Sequence, residues 1–437
     1  MTKSAIPNLT YAQIKAACLL HRLPPGGLDN IETLEKQDRY YLLHQARQLG
    51  PIFKAPGDDR FWVCITGLAR CRRFIQAHAT SMHGYMHDLE PLVPGGALRR
   101  MEGEIHRKYR RALLSGIRFD ELFSKDQELH EIVSGKLAAY ASAPGQVEDP
   151  AQSYINVLND IATASLIKVF FGVGAGDSLY EELLQGYRKL GPFGLVWNIG
   201  NQQIKAFSHL RHAILDYLGK AGESGLYRFH NSIAGRLAAN NALDDTLLGN
   251  LIYMVEMGRY DQAGLLRWLS RYAASHPDHL DRLSGESWSQ AISTTSFAHA
   301  FVLETLRTDK SERLTRIAER DLLFDGYLIP RNTYVRLCLW ESHHDAEAFD
   351  QPFEFAPDRF LQSGISGDRF APFGLDHHLC PLADIAVRLG VIFLWQLARN
   401  YRMRGVGDGL PIRGPYHWEP ALDFSVELQG KSDSATL

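Results

Sequence analysis

The sequence is poor in cysteine. Five residues in 437 (Cys18, Cys64, Cys71, Cys338 and Cys380), odd in number and without regular spacing, argue against a disulfide framework and for a reducing compartment. Nothing between Cys18 and Cys71 has metal-finger spacing. Long hydrophobic runs are also missing: no window reaches the roughly 18 uninterrupted apolar residues of a membrane span, and the apolar run over 16–20 is too short for a signal segment. Charge of one sign is lacking too. A net charge of −3 with 22% charged residues gives no global attraction to nucleic acid or to an anionic membrane. These absences lead us to expect a cytoplasmic protein with no nucleic-acid or membrane partner. There is no glycine-rich phosphate loop, nucleophile elbow or dinucleotide fingerprint, so a built-in flavin or nicotinamide domain is not expected.

What the chain has in quantity is helical patterning. Apolar residues recur at three and four spacing over 30–49, 102–114, 127–141, 154–171, 179–190, 204–221, 224–240, 244–275, 287–307 and 382–399. Strand signals are sparse: 51–55 with 61–65 around Pro56-Gly57-Asp58-Asp59, and 321–329 with 334–339 around Pro330-Arg331-Asn332. The pattern predicts a mainly α fold with small β-sheets from both chain ends, a single domain over 1–437, and a disordered tail over 429–437. Segments 84–96 and 191–200, rich in Gly, Pro and large apolar residues, are candidates to line an entrance.

The stretch FAPFGLDHHLCPLADIA, residues 370–386, has the most chemical content. It sets Cys380 in a loop running straight into a helix with the apolar stripe Leu382, Ala383, Ala386 and Leu389, and places the turn Phe373-Gly374 and His378 upstream. A free cysteine is ordinarily a small buried hydrophobe. Presented this way, it can offer a thiolate to heme iron. Earlier in the chain, Glu304 and Arg307 share a helix face at i, i+3, and Arg359 stands in the aromatic segment Phe353 to Phe360. A buried Glu between two Arg is a structural lock, in which losing one partner costs roughly 3–5 kcal/mol. His343-His344-Asp345 and His377-His378 invite a metal reading, yet adjacent residues on a strand or loop point apart and no further ligand has zinc spacing.

In this order the segments resemble the cytochrome P-450 superfamily of heme-thiolate monooxygenases, over essentially the whole chain. Glu304 and Arg307 resemble its Glu-x-x-Arg helix, Pro357, Arg359 and Phe360 its Pro-x-Arg-Phe segment, and Phe373 to Cys380 its cysteine loop. The run 329–345 is similar to its strand pair and following turn, and His106-x-x-x-Arg110-Arg111 to the helix whose cations bind a heme propionate. The resemblance implies heme b between a distal helix and the Cys380 loop, with Cys380 as the axial ligand pushing electron density onto the iron. It also implies His106, Arg110, Arg316 and His378 as donors to the propionates, which must be paired inside a protein. Arg316 is preferred to Arg313 and Arg320 for the apolar neighbours in Leu314-Thr315-Arg316-Ile317-Ala318. Such a protein oxidises a small organic molecule, here in specialised biosynthesis, with electrons from a separate donor such as ferredoxin with its reductase. The run Arg107 to Arg111 offers either a dock for an acidic donor or an ordinary solvated face.

Two departures leave the reaction open. Counting back from His276-Pro277, the distal helix 244–275 puts Met257 and Gly258 at the family's Ala-Gly pair, Tyr260 at its acid and Asp261 at its threonine. The acid and alcohol pair that manages protons is therefore absent. Asp261 is a candidate relay in its own right, since a carboxyl in a dry pocket has a raised pKa, with Tyr260 beside it and Met257 and Gly258 as candidate substrate contacts. Alternatively, an acidic substrate anchored by Arg259 or Arg267 supplies the proton. Peroxide-driven or non-oxygenating chemistry (cyclisation, dehydration, rearrangement) needs no relay, and a catalytically silent relative binding a protein or carrier-tethered partner needs no chemistry. In the cysteine loop, Asp376 and Leu382 stand where glycine is usual. Asp tolerates a left-handed turn, while Leu382 either packs on the porphyrin or shifts the helix.

Overall fold

Apolar spacing becomes helix wherever a cap starts it and no breaker interrupts it. The computed structural model describes residues 22–27, 38–56, 61–85, 89–117, 125–142, 149–191, 199–224, 231–310, 314–362, 365–414 and 417–431. These form α1 (Tyr41–Leu49), α2 (Leu68–His78), α3 (Gly103–Gly116), α4 (Asp126–Ala141), α5 (Pro150–Phe171), α6 (Ser178–Lys189) and α7 (Asn201–Ser224). There follow α8 (Ile233–Ala239), α9 (Asp245–Ser275), α10 (Pro277–Ser284), α11 (Trp288–Ala291), α12 (Phe297–Thr305), α13 (Leu339–His343) and α14 (Ala383–Asn400). No described helix is long and apolar enough to cross a membrane.

The axis of the molecule is α9. Asp244 caps it by accepting the Leu247 N–H at 2.8 Å, and Pro277 opens the next helix; its 31 residues span about 46 Å. It packs along α5 and against α12 and α14, burying Leu251, Leu266, Trp268 and Leu269 with Phe170, Phe301 and Phe393. At Gly390 the approach is close. A Cβ there would lie 3.2 Å from Val302 Cγ1 and 3.3 Å from Leu269 Cδ1, so hydrogen at this position lets α9, α12 and α14 meet.

The helix expected over 287–307 is two helices. Ser293 to Ser296 break it: Ser296 Oγ accepts the His299 N–H at 2.9 Å and caps α12, while Ser293 Oγ bonds Thr295 Oγ1 at 2.9 Å. Hydroxyls of this kind compete with the helical backbone. Of the helix expected over 224–240, Ser224 ends α7 and the other described residues are helical only from Ile233, after the Ser232 cap. The first half of the helix expected over 30–49, most of the 191–200 loop and the 57–60 turn lie outside the described residues.

β1 (Ile52–Pro56) and β2 (Phe61–Ile65) pair antiparallel, as their sequence predicts. The expected pairing of 321–329 with 334–339 does not form. Instead β5 (Leu322–Phe324) and β6 (Tyr327–Ile329) close their own hairpin, while β7 (Tyr334–Leu337) joins a five-stranded sheet in the order β1-β2-β7-β4-β3. In that sheet β7 runs parallel to β2, Trp62 opposite Tyr334, and antiparallel to β4 (Leu314–Ala318). The strand β3 (Met82–Gly84) makes the far edge. The short pairs β8 (Tyr401–Val406) with β11 (Ser425–Gly430), and β9 (Pro411–Arg413) with β10 (Trp418–Pro420), complete the described strands. Strand β11 carries Gln429 and Gly430, opposite Arg402 and Tyr401, into the stretch expected as a tail.

Candidate active site

The Cys380 loop is built by its own backbone. Gly374 at φ +98° and Asp376 at φ +55° turn the chain through the left-handed region, and the Cys380 N–H closes the loop onto Phe373 O at 2.9 Å. Arg72 holds the strained Asp376 by an ion pair at 3.1 Å. Leu382 stands at the N-cap position of α14, with no side-chain cap, and packs against the core. Cys380 is half-buried as a residue, and burial pushes its thiol above its ordinary pKa. The Leu382 amide, Arg110 and Arg99 pull it down, and Asp261 pushes it further up. With Asp261 of α9 near enough to act on it, the thiol faces the recess between the cysteine loop and α9.

Cations gather beside that thiol. Arg110 on α3 is pushed down by burial, opposed by Cys380. Arg316 on β4 is 8% exposed and is likewise lowered by burial and by Arg99, against Glu102; among the described residues no carboxylate lies within ion-pair distance of it. His106, buried on α3, is held down at about 4 by burial, His378 and His377, its ring 4.5 Å from that of His378. Glu102 takes His378 Nε2 at 3.2 Å and His377 Nε2 at 3.5 Å. Burial raises its carboxyl, but the two histidine hydrogen bonds outweigh that and leave it lowered. His106, Arg110, Arg316 and His378 thus share one neighbourhood with Cys380, and Glu102 is a small counterweight to Arg99, Arg110 and Arg316. A buried excess of positive charge next to a thiol fits a flat dianionic cofactor with a metal over the sulfur, which is to say heme with its two propionates.

Across the recess lies α9. Asp261 has a side chain 55% exposed although Arg259 and Gln262 beside it are buried; Gln262 Nε2 donates to Ala386 O on α14 at 3.3 Å. Asp261 therefore opens into the space between α9 and the cysteine loop. Its Oδ1 meets His417 Nε2 at 2.8 Å.

Tyr260 faces elsewhere. Its hydroxyl donates to Gly191 O, under the Arg259 guanidinium 4.2 Å from the ring. Arg259 donates to Gly191 O at 2.9 Å and Tyr187 O at 3.1 Å and pairs with buried Glu256 at 2.9 Å, so both residues tie α9 to the end of α6. Gly258 faces α5, where a Cβ would meet Leu166 Cδ1 at 3.2 Å. Met257 is half-buried against the core. Both arginines considered as substrate anchors hold internal carboxylates, Arg259 on Glu256 and Arg267 on Glu419 at 2.9 Å.

Glu304, Arg307 and Arg359 form one knot. Arg307 Nε donates to Glu304 Oε2 at 2.7 Å and Arg359 Nε to Oε1 at 3.1 Å, with Glu304 and Arg307 fully buried. The rest of the Arg307 fork donates to His343 O, Pro352 O and Glu354 O at 2.9, 2.7 and 3.0 Å. The knot pins the 350–360 loops to α12, behind the cysteine loop.

His417 carried no sequence signal. It lies between short strands without periodicity, and its contact with Asp261 spans 156 positions.

Residues 282–409 match the family model described as Cytochrome P450. The chain is 28% identical over 440 residues to abscisic acid 8'-hydroxylase 2 of Arabidopsis thaliana, covering 90% of this chain and 87% of that one. It is 24% identical to beta-amyrin 11-oxidase of Glycyrrhiza uralensis, covering 79% and 76%. Among solved structures, the retinoic-acid-bound cyanobacterial CYP120A1 superposes with a TM-score of 0.71 at 21% identity, over 94% of this chain and 100% of that one. A zebrafish cytochrome P450 with abiraterone superposes at 0.69 and 17% identity, over 90% and 100%. Fold, cysteine loop and relatives point the same way: the chain has the fold of the cytochrome P450 structures, and its residues 282–409 match the model of that family.

Proposed function

We propose that this protein is a cytoplasmic monooxygenase that oxidises a small organic molecule in specialised biosynthesis, taking electrons from a separate donor such as ferredoxin with its reductase. The observation that carries the reading is the set of cations around the Cys380 loop, half-buried Arg110 acting on the thiol itself and buried Arg316 on His378 of the same loop, with Asp261 of α9 acting on the thiol from the other side. Heme on Cys380 would supply oxidising chemistry at its iron, which a thiolate ligand favours. His106, Arg110, Arg316 and His378 would hold its propionates. Asp261 stands where the family has an alcohol and acts as the group that holds and gives up a proton at its carboxyl oxygen. The relatives' named activities, on abscisic acid and beta-amyrin, support a small organic substrate. The thiols of Cys64 and Cys338, in contact in the core, suit a reducing compartment.

Purified protein should carry heme and show a thiolate-type Soret band when reduced under carbon monoxide; Cys380→Ala should lose it. A parent without that band rules the reading out. The non-oxygenating or peroxide-driven alternative is favoured by one fact, the Tyr260 hydroxyl spent on Gly191 O, which leaves no acid and alcohol pair. Asp261→Asn separates the two. A fall of about a hundredfold or more in oxygen-driven turnover, with peroxide-driven turnover kept, supports the relay, whereas unchanged oxygen-driven turnover favours the alternative.

A further inference from the structure

The carboxyl of Asp261 is held from behind. His417, just before β10, places Nε2 at 2.8 Å from Oδ1, and its side chain is 8% exposed where that of Asp261 is 55% exposed. The imidazole is sunk in protein while the carboxyl opens to the recess. The segment that brings it is fixed on α9 at two further points: Arg267 pairs with Glu419 at 2.9 Å and donates to Pro420 O at 2.7 Å, and Trp268 Nε1 donates to Trp418 O at 3.0 Å. The hairpin is docked one to two turns further along α9 without the help of His417, so its reach to Asp261 is surplus to docking.

We propose that His417 is the positioning residue for Asp261, an inference that rests on the reading of Asp261 as the proton-handling group. The imidazole N–H donates to Oδ1 and fixes the side-chain rotamer. A carboxyl free to rotate meets its target only part of the time, and orientation of this kind is worth about an order of magnitude or more in rate. The other charged or titratable groups around the pair are Tyr253 and Arg99 on one side, Cys380 and Arg110 across the recess, and the Arg267–Glu419 pair beyond. Arg267 and Glu419 neutralise each other, and Asp261 is the carboxylate in hydrogen-bond contact with His417.

Two readouts test this on heme-loaded protein. The first is histidine side-chain NMR on the diamagnetic ferrous carbon monoxide complex, with the His417 signal identified as the one missing in His417→Gln. His417 should keep its proton to higher pH in the parent than in Asp261→Asn, by about one unit, as expected for an imidazole beside a carboxylate. Identical titration in the two overturns the proposal. The second compares oxygen-driven turnover and the share of electrons lost to peroxide. His417→Ala should lower kcat about tenfold and raise that loss with KM little changed, and His417→Gln, whose amide also donates, should recover most of it. A parental His417→Ala alongside an impaired Asp261→Asn sinks the role of His417 and leaves that of Asp261 standing. A parental Asp261→Asn removes both. The thiolate-type carbon monoxide spectrum of each variant certifies that it is folded.

Discussion

His343 and His344 show how much a single buried imidazole governs. His343 Nε2 accepts the Ala371 N–H at 2.9 Å, which demands the neutral ring, and burial drives its pKa down. His344 Nδ1 lies 2.9 Å from Trp340 O, and burial lowers it to about 3. An unfolded imidazole takes up a proton near pH 6.5, whereas folded His344 refuses one until about pH 3. Between those values the unfolded chain binds more protons, so stability falls as pH falls through that window. Urea unfolding should show this slope, and His344→Asn should flatten it by about 1.4 kcal/mol per pH unit between pH 5.5 and 4. Glu304 has the opposite character, a buried charge that must stay charged. Glu304→Gln should cost roughly 3–5 kcal/mol in the same measurement, because Arg307 keeps its charge and loses its carboxylate. The charged members of that knot were legible, two from i, i+3 spacing and one from its aromatic segment. Its carbonyl acceptors were not, since a backbone oxygen has no residue type, and neither was His417, which reaches Asp261 across 156 positions.

Helices were the most legible elements because their signal is local. Gly103–Gly116, Asp126–Ala141, Pro150–Phe171, Asp245–Ser275 and Ala383–Asn400 each begin or end within a few residues of the apolar pattern. Where pattern and hydroxyls disagreed, the hydroxyls won, and Ser296 both caps α12 and donates to Ala291 O at 2.8 Å. Ser296→Ala should therefore lower stability by about 1–2 kcal/mol, read as a shift in the denaturant midpoint. Gly390→Val should do more damage, about 1–3 kcal/mol, by wedging α14 off Val302 and Leu269; a midpoint equal to the parent would show that the three helices can part. Strands were poorly legible. Three- to six-residue segments such as β3, β4 and β8 to β11 carry little periodicity, and partner choice between distant strands is a property of the folded sheet.

Over the whole surface, the exposed Arg107, Lys108 and Arg111 of α3 share a helix with Arg110 and His106, which face the recess. If the electron donor docks there, reduction slows as salt rises, and the double variant Arg107→Glu, Lys108→Glu slows it about tenfold at low salt with the difference shrinking near 1 M. Stopped-flow reduction with an acidic ferredoxin measures both, and a salt-independent rate would place the dock elsewhere. The five-stranded sheet has a different consequence, one of timing. β1 and β2 leave the ribosome early, but the parallel neighbour of β2 is Tyr334–Leu337, so translation must cover most of the gene before that edge is covered. A nascent chain stalled before Tyr334 displays β2 as a bare, apolar template for other chains. Chains released there should precipitate and those released beyond the cysteine loop should not, making the late strand a checkpoint on synthesis as much as a piece of architecture.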